Sequence, residues 1–213
     1  MFARLFEPRG FDLRLWQVVD GDFPDGPEAA DAWLITGSPH AVYDDRPWIA
    51  PLEALIRDIR DAGRPLVGIC FGHQIVARAF GGRVEKFHGG WALGRRLYDI
   101  AGMELAMNAA HQDQVTEPPE GAERLGGNDF TKHAVLAYGD HILTMQPHPE
   151  IAEGFMSYLL RLRGTHLSET ELEAAIAELA RDNDAQIVTD WLAEVLRGTP
   201  VKHAMARLEP ATA

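Results

Sequence analysis

The sequence predicts an α/β fold, an open and mostly parallel sheet with helices on both faces. Three observations carry that expectation. In residues 1–160, short apolar runs alternate with segments whose apolar residues recur every three or four positions. From Ala152 onward the patterning is helical only. The chain has 213 residues, 46% of them hydrophobic and 24% charged, which suits one globular domain with an appendage. The expected division is a domain over 1–160 and a helical C-terminal extension over 161–213, packed on the same domain.

The elements follow in order. The opening, Met1–Phe6, reads as helix. Phe11–Val19 (FDLRLWQVV) alternates with a period of two and reads as a strand, ended by the Gly- and Pro-rich stretch to Pro27. Trp33–Thr36 is a short buried strand stopped by Gly37-Ser38-Pro39. Trp48–Ala62 is an amphipathic helix closed by Gly63. Leu66–Ile69 is a buried strand and Gln74–Phe80 a helix ended by Gly81-Gly82. Residues 83–110 read as short strands and turns. Val135–Tyr138 and His141–Gln146 form a hairpin about Gly139-Asp140. Ser168 with Glu171 is a capping box for a helix striped by Leu172, Ile176 and Leu179. Asp184–Leu196 is a further helix, and the last dozen residues read as a fraying tail.

Composition excludes several classes. The net charge of −12 provides no basic footprint for nucleic acid or for anionic membranes. No run of about 18 apolar residues predicts a membrane span. The start has no signal-peptide core, and one cysteine permits neither an internal disulfide nor a cysteine zinc cage, so a cytoplasmic setting is expected. The histidines lie without ligand spacing and no P-loop is present, so no metal and no cofactor are expected.

The single cysteine lies in PLVGICFGHQ (Pro65–Gln74), where an apolar strand runs into Gly68-Ile69-Cys70-Phe71-Gly72 and on into a helix. This is the G-x-nucleophile-x-G pattern of a nucleophile elbow, whose small flanking residues let a sharp turn pass close to itself. The helix N-terminus favours a thiolate, and the Phe71 amide is placed for an oxyanion. A thiolate nucleophile needs a base, and the base an orienting group. His148 ends a predicted strand in QPHPE, and Glu150 lies two residues on, on the same side of an extended segment, about 6.5–7 Å away between Cα atoms. Pro147 and Pro149 stiffen the segment.

With these residues in place, GICFGHQ (Gly68–Gln74) and HPE (His148–Glu150) resemble the class I glutamine amidotransferases, of the free-standing, GMP synthase-like kind. ITGSPHAVYDD (Ile35–Asp45) is similar to the family's oxyanion loop, and AHQDQV (Ala110–Val115) to its S-H-G-D-x-V substrate loop. The resemblance implies the flavodoxin-like amidotransferase sheet. It implies Cys70 as nucleophile, His148 as general base and acid, and Glu150 as orienting acid. The amides of Phe71 and of the Gly37-Ser38 loop would form the oxyanion hole. Gln74 would contact L-glutamine, and the loop of His111, Gln112 and Asp113 would hold its amino-acid end, Gln112 and Asp113 through their backbone. His73 is expected to pack. The implied reaction is hydrolysis of the glutamine side-chain amide to glutamate and ammonia through a thioester. An ammonia-accepting synthetase subunit is the implied partner, with a homodimer compatible. The helices after Ala152 either cover the outer side of the triad or contact a partner.

Three positions depart from the family pattern. Gln112 stands where S-H-G-D has glycine, which would narrow the pocket or change a backbone contact. Ser38 replaces a usual glycine. The family's first strand has no counterpart, so either the start lies upstream or the sheet lacks a strand. Rival readings are a related cysteine hydrolase of γ-glutamyl compounds, a noncatalytic regulatory subunit on the same fold, and a cysteine redox sensor.

Overall fold

The structure is a computed structural model and describes residues 1–165 and 167–206. Among the described residues nine strands form, β1 Trp33–Ile35, β2 Leu66–Ile69, β3 Arg83–Lys86, β4 Ala92–Ile100, β5 Met103–His111, β6 Asp113–Glu117, β7 Ala122–Gly127, β8 Val135–Tyr138 and β9 Ile142–Met145. The helices are α1 Phe2–Phe6, α2 Ile49–Asp61, α3 Phe71–Ala79, α4 Glu153–Arg163, α5 Glu169–Glu178, α6 Ala185–Leu196 and α7 Val201–Ala206. Seven strands make one sheet in the order β1-β2-β9-β8-β7-β4-β5, and β3 pairs with β6 apart from it.

The α/β class holds, while the expectation of a mostly parallel sheet is corrected. Only β1–β2 and β2–β9 run parallel; the pairings β9–β8, β8–β7, β7–β4 and β4–β5 are antiparallel. The α2 crossover carries the chain from β1 to its parallel neighbour β2, whereas short turns join β4 to β5 and β8 to β9 and reverse them. Residues 83–110 are not short strands and turns throughout. They include two nine-residue strands, β4 and β5, in register from Ala92↔His111 to Ile100↔Met103. The hairpin escapes sequence reading because its turn is Ala101-Gly102, both at positive φ, and not Asn-Gly; Asp99 accepts the Gly102 amide at 2.9 Å to hold it.

Phe11–Val19 is not a strand. Residues 11–17 are irregular and Val18–Asp20 is a 3₁₀ turn. Its packing comes from aromatic contacts, Phe11 on Phe6 at 5.6 Å and Trp16 on Trp33 at 5.3 Å between ring centroids. Leu13 and Leu15 are exposed, so the alternating pattern has no face to bury.

Helices cover both faces. α2 and α3 bury Ile49, Leu52, Ile56, Ile59, Ile75 and Val76 on one side with β1 and β2. On the other, α6 buries Val188, Trp191, Leu192 and Val195 against Val67, Ile69, Leu143 and Met145 of β2 and β9. α4 and α5 pack on β4 around Met156, Leu160 and Leu179. The capping box forms as expected, Ser168 Oγ accepting from the Glu171 amide and the Glu171 carboxylate from the Ser168 amide. Of the expected tail, residues 202–206 belong to α7; residues 207–213 lie outside the described residues. No helix of the described residues is long and apolar enough to cross a membrane.

Candidate active site

The site is built where β2 stops and α3 starts. Cys70 stands between them with φ 53° and ψ −103°, a conformation that L residues with a side chain rarely adopt. Its amide donates to the Met145 carbonyl at 2.8 Å, which pins the turn to the end of β9. The flanking glycines are required by space. A Cβ on Gly68 would lie 2.7 Å from the Gly72 backbone, and one on Gly72 would run into the Ile35 carbonyl. α3 begins at Phe71, so the amides of its first turn, Phe71 among them, have no partner within the helix.

The strand beside β2 delivers the imidazole. β9 ends at Met145, and the next residues run as Gln146-Pro147-His148-Pro149-Glu150. His148 Nδ1 lies 2.7 Å from Glu150 Oε1, and both side chains are more than nine-tenths buried. The other ring nitrogen is buried without a hydrogen-bond partner, and the ring interacts electrostatically with Cys70. Burial alone would push the imidazole pKa down. The Cys70 sulfur on one side and Glu150 on the other outweigh it and hold the pKa up, at about 10. The ring is therefore held in its protonated form beside Glu150 and Cys70. Gly37 comes close above both, since a Cβ there would sit 3.2 Å from His148 Cε1 and 3.7 Å from Cys70 Cβ. Ser38 follows and accepts from the His40 amide at 3.2 Å, which shapes the loop.

The Gln74 side chain is buried and donates from Nε2 to the Asp113 carbonyl at 2.9 Å and to Gln146 Oε1 at 3.1 Å. His111 is buried, with Nδ1 3.2 Å from the same carbonyl. Burial first, and then the charge of His148, drives its pKa down to about 3, so it is neutral beside a charged neighbour. His73 packs beneath, its Nδ1 2.7 Å from Thr144 Oγ1, and burial likewise lowers it to about 3. Gln112 turns away: its Nε2 donates to the Phe87 carbonyl at 3.3 Å, and the Phe87 amide donates back to its carbonyl at 3.1 Å. The side chain that replaces glycine is thus spent on tying down a neighbouring loop. Every residue singled out from the sequence lies in this one region of the fold.

Three neighbours went unremarked in the sequence. Asn108 is buried in β5; its carbonyl accepts from the His148 amide at 2.8 Å, and its side chain donates to the Ile151 carbonyl at 2.8 Å. It braces the His148–Glu150 segment at both ends, and a lone amide inside the apolar run LAMNAA was the available signal. Tyr43 faces the Asp113 carboxyl. Burial first and then Asp113 push the phenol up to about 12, and burial raises Asp113 in turn. Gln146 joins Gln74 as described. Among the described residues no three His, Cys, Asp or Glu side chains come together as a metal site.

The profile of the family Glutamine amidotransferase class-I matches residues 4–161. Gamma-glutamyl peptidase 3 of Arabidopsis thaliana is 32% identical over 167 residues, 70% of this chain and 67% of that protein. The glutamine-hydrolyzing GMP synthase of a Synechococcus species is 28% identical over 176 residues, 73% of this chain and 32% of that longer protein. This chain thus spans about two thirds of the plant relative and about a third of the synthase. A crystal structure of a glutamine amido transferase from Methylobacillus flagellatus superposes with a TM-score of 0.75 over 100% of this chain and 92% of that one, at 19% identity, and shares its fold. Profile and relatives agree with the architecture, and the chain belongs to the class I glutamine amidotransferase family.

Proposed function

We propose that this chain hydrolyses the side-chain amide of glutamine through a Cys70 thioester. The observation that carries the reading is His148 held between Glu150, at 2.7 Å, and the sulfur of Cys70 at a strained elbow. In the proposed reaction the Cys70 thiolate attacks the amide carbon. The Phe71 amide and the Gly37-Ser38 loop stabilise the oxyanion, each donor being worth about 3–4 kcal/mol. The His148 imidazolium gives its proton to the departing nitrogen, and ammonia leaves as the C–N bond breaks. Neutral His148 then takes a proton from water, whose oxygen attacks the thioester to release glutamate and restore the thiolate. Glu150 fixes the ring and offsets its charge throughout. An ammonia-accepting synthetase is the proposed partner, a reading supported by the resemblance to GMP synthase.

A second reading, hydrolysis of larger γ-glutamyl compounds by the same chemistry, is favoured by the gamma-glutamyl peptidase relatives. Hydrolysis of glutamine and a panel of γ-glutamyl peptides, measured side by side, tests both. Glutamine turnover that falls about 10⁴-fold or more in Cys70→Ala is expected. Equal activity in wild type and Cys70→Ala would remove the reading, and turnover of the peptides alone would select the second.

A further inference from the structure

Gln146 has no part in the chemistry proposed above, yet it is fully buried two residues before His148. Its Oε1 lies 3.1 Å from Gln74 Nε2, and that same nitrogen donates to the Asp113 carbonyl at 2.9 Å. The three residues come from α3, from the first position of β6, and from the segment that follows β9.

The donor and acceptor chemistry fixes these two carboxamides in series. A backbone carbonyl only accepts, so the Gln74 atom that faces Asp113 is the amide nitrogen. The Gln146 atom that faces this nitrogen is then the oxygen. Both amide protons of Gln74 are spent, and the group left to meet a ligand is Oε1, an acceptor. The arrangement has a local cost, because Gln146 Nε2 is buried without a partner. A buried orphan donor kept at this place indicates that the orientation of Gln74 matters more than the satisfaction of Gln146.

We infer that Gln146 is a positioning residue for substrate recognition: it locks the Gln74 carboxamide so that an acceptor oxygen meets the donor groups of a γ-glutamyl substrate, its ammonium above all. The inference rests on the γ-glutamyl reading of the site. Without the Gln146 oxygen, Gln74 keeps one anchor and gains a free proton. Its carboxamide then turns and presents a donor to a donor.

Two variants test this. Gln146→Leu keeps the bulk and removes the acceptor. It is expected to raise KM for the best γ-glutamyl substrate about tenfold, with kcat held within about twofold. Gln146→Glu keeps an oxygen in the same place and is expected to recover most of the loss in KM. Independently of turnover, exchange of the Gln74 side-chain amide protons, followed by NMR, is expected to quicken about tenfold or more in Gln146→Leu. The inference is overturned by a turning-over Gln146→Leu with unchanged KM, by equal losses of kcat in both variants, or by unchanged exchange at Gln74. If the wild type hydrolyses no γ-glutamyl compound, the function proposed above falls, and the exchange of the Gln74 protons alone decides the clamp.

Discussion

The two ends of the sheet are built to different tolerances. At the parallel end, β1, β2 and α3 approach so closely that neither Gly68 nor Gly72 has room for a methyl group, and Cys70 is held at positive φ between them. At the other end the β4–β5 hairpin turns at Gly102 with nothing within 4 Å of where a side chain would start, and Leu97 lies exposed. Both ends hold a non-glycine residue at positive φ, Cys70 at the elbow and Ala101 in the hairpin turn, but the close backbone contacts at Gly68 and Gly72 lie beside the imidazole, whereas Gly102 of the hairpin faces open space. Strain of this kind persists only where the surroundings over-determine it. Here β9 pins Cys70 through the Met145 carbonyl, and Ile35 closes on Gly72.

The sharpest way to break this contrast is a single methyl group. Gly72→Ala places a Cβ on the Ile35 carbonyl, which α3 can relieve only by moving off β1. A loss of about 4 kcal/mol or more in unfolding free energy is expected. Gly154→Ala in α4 meets open space and has an ordinary backbone, so it is expected to stabilise by about 0.5–1 kcal/mol. Denaturant midpoints measure both, and similar values for the two variants would refute the difference in packing.

A smaller effect separates the histidines within the site. His148 is held above its ordinary pKa, at about 10, while His73 and His111 are driven to about 3, in each case by burial first. The signs are opposite. Between pH 6.5 and about 3 the unfolded chain binds the protons that folded His73 and His111 refuse, so stability falls as the pH drops through that window. The His148 contribution is complete below pH 6.5 and is lost as the pH rises through about 10. Replacing His73 with glutamine is expected to flatten the acid limb by up to about 1.4 kcal/mol per pH unit and to leave the alkaline limb in place. Unfolding free energies measured from pH 4.5 to 9 read both limbs; an unchanged acid slope would show that His73 titrates normally in the folded protein.

How much of this was legible in the sequence depended on whether the determinant was local. The elbow is local, because glycines two residues either side of Cys70 encode the close approach that the structure shows at Ile35 and Thr144. His148 and Glu150 are also local to one another, and the intervening prolines announce their extended spacing. Asn108 and Gln146 were not legible as braces, since each works through partners brought near only by folding, His148 and Ile151 for the one and Gln74 for the other. Strand direction was lost for the same reason. The Gly139-Asp140 hairpin did announce that β8 pairs antiparallel with β9, but nothing in β7 (AERLGG) states that it will lie between β8 and β4, and Ala101-Gly102 hides a tight turn behind an ordinary residue.

Phe11–Val19 completes the comparison from the opposite side, as a pattern without a partner. Its alternation from Phe11 to Leu15 reads as a strand, but Leu13 and Leu15 point to solvent, Leu15 at 77% exposure. What fixes the segment is two aromatics, Phe11 on the pattern and Trp16 off it, together with Arg14 4.6 Å above the Trp16 ring. An alternating run becomes a strand only where a ladder edge takes up its amides and a layer covers one face. Leu15→Ser is therefore expected to change the unfolding free energy by less than about 0.5 kcal/mol, against about 2 kcal/mol or more for a strand residue whose face is buried. A loss of that larger size on denaturant unfolding would mean that Leu15 is covered in solution, and that the segment pairs after all.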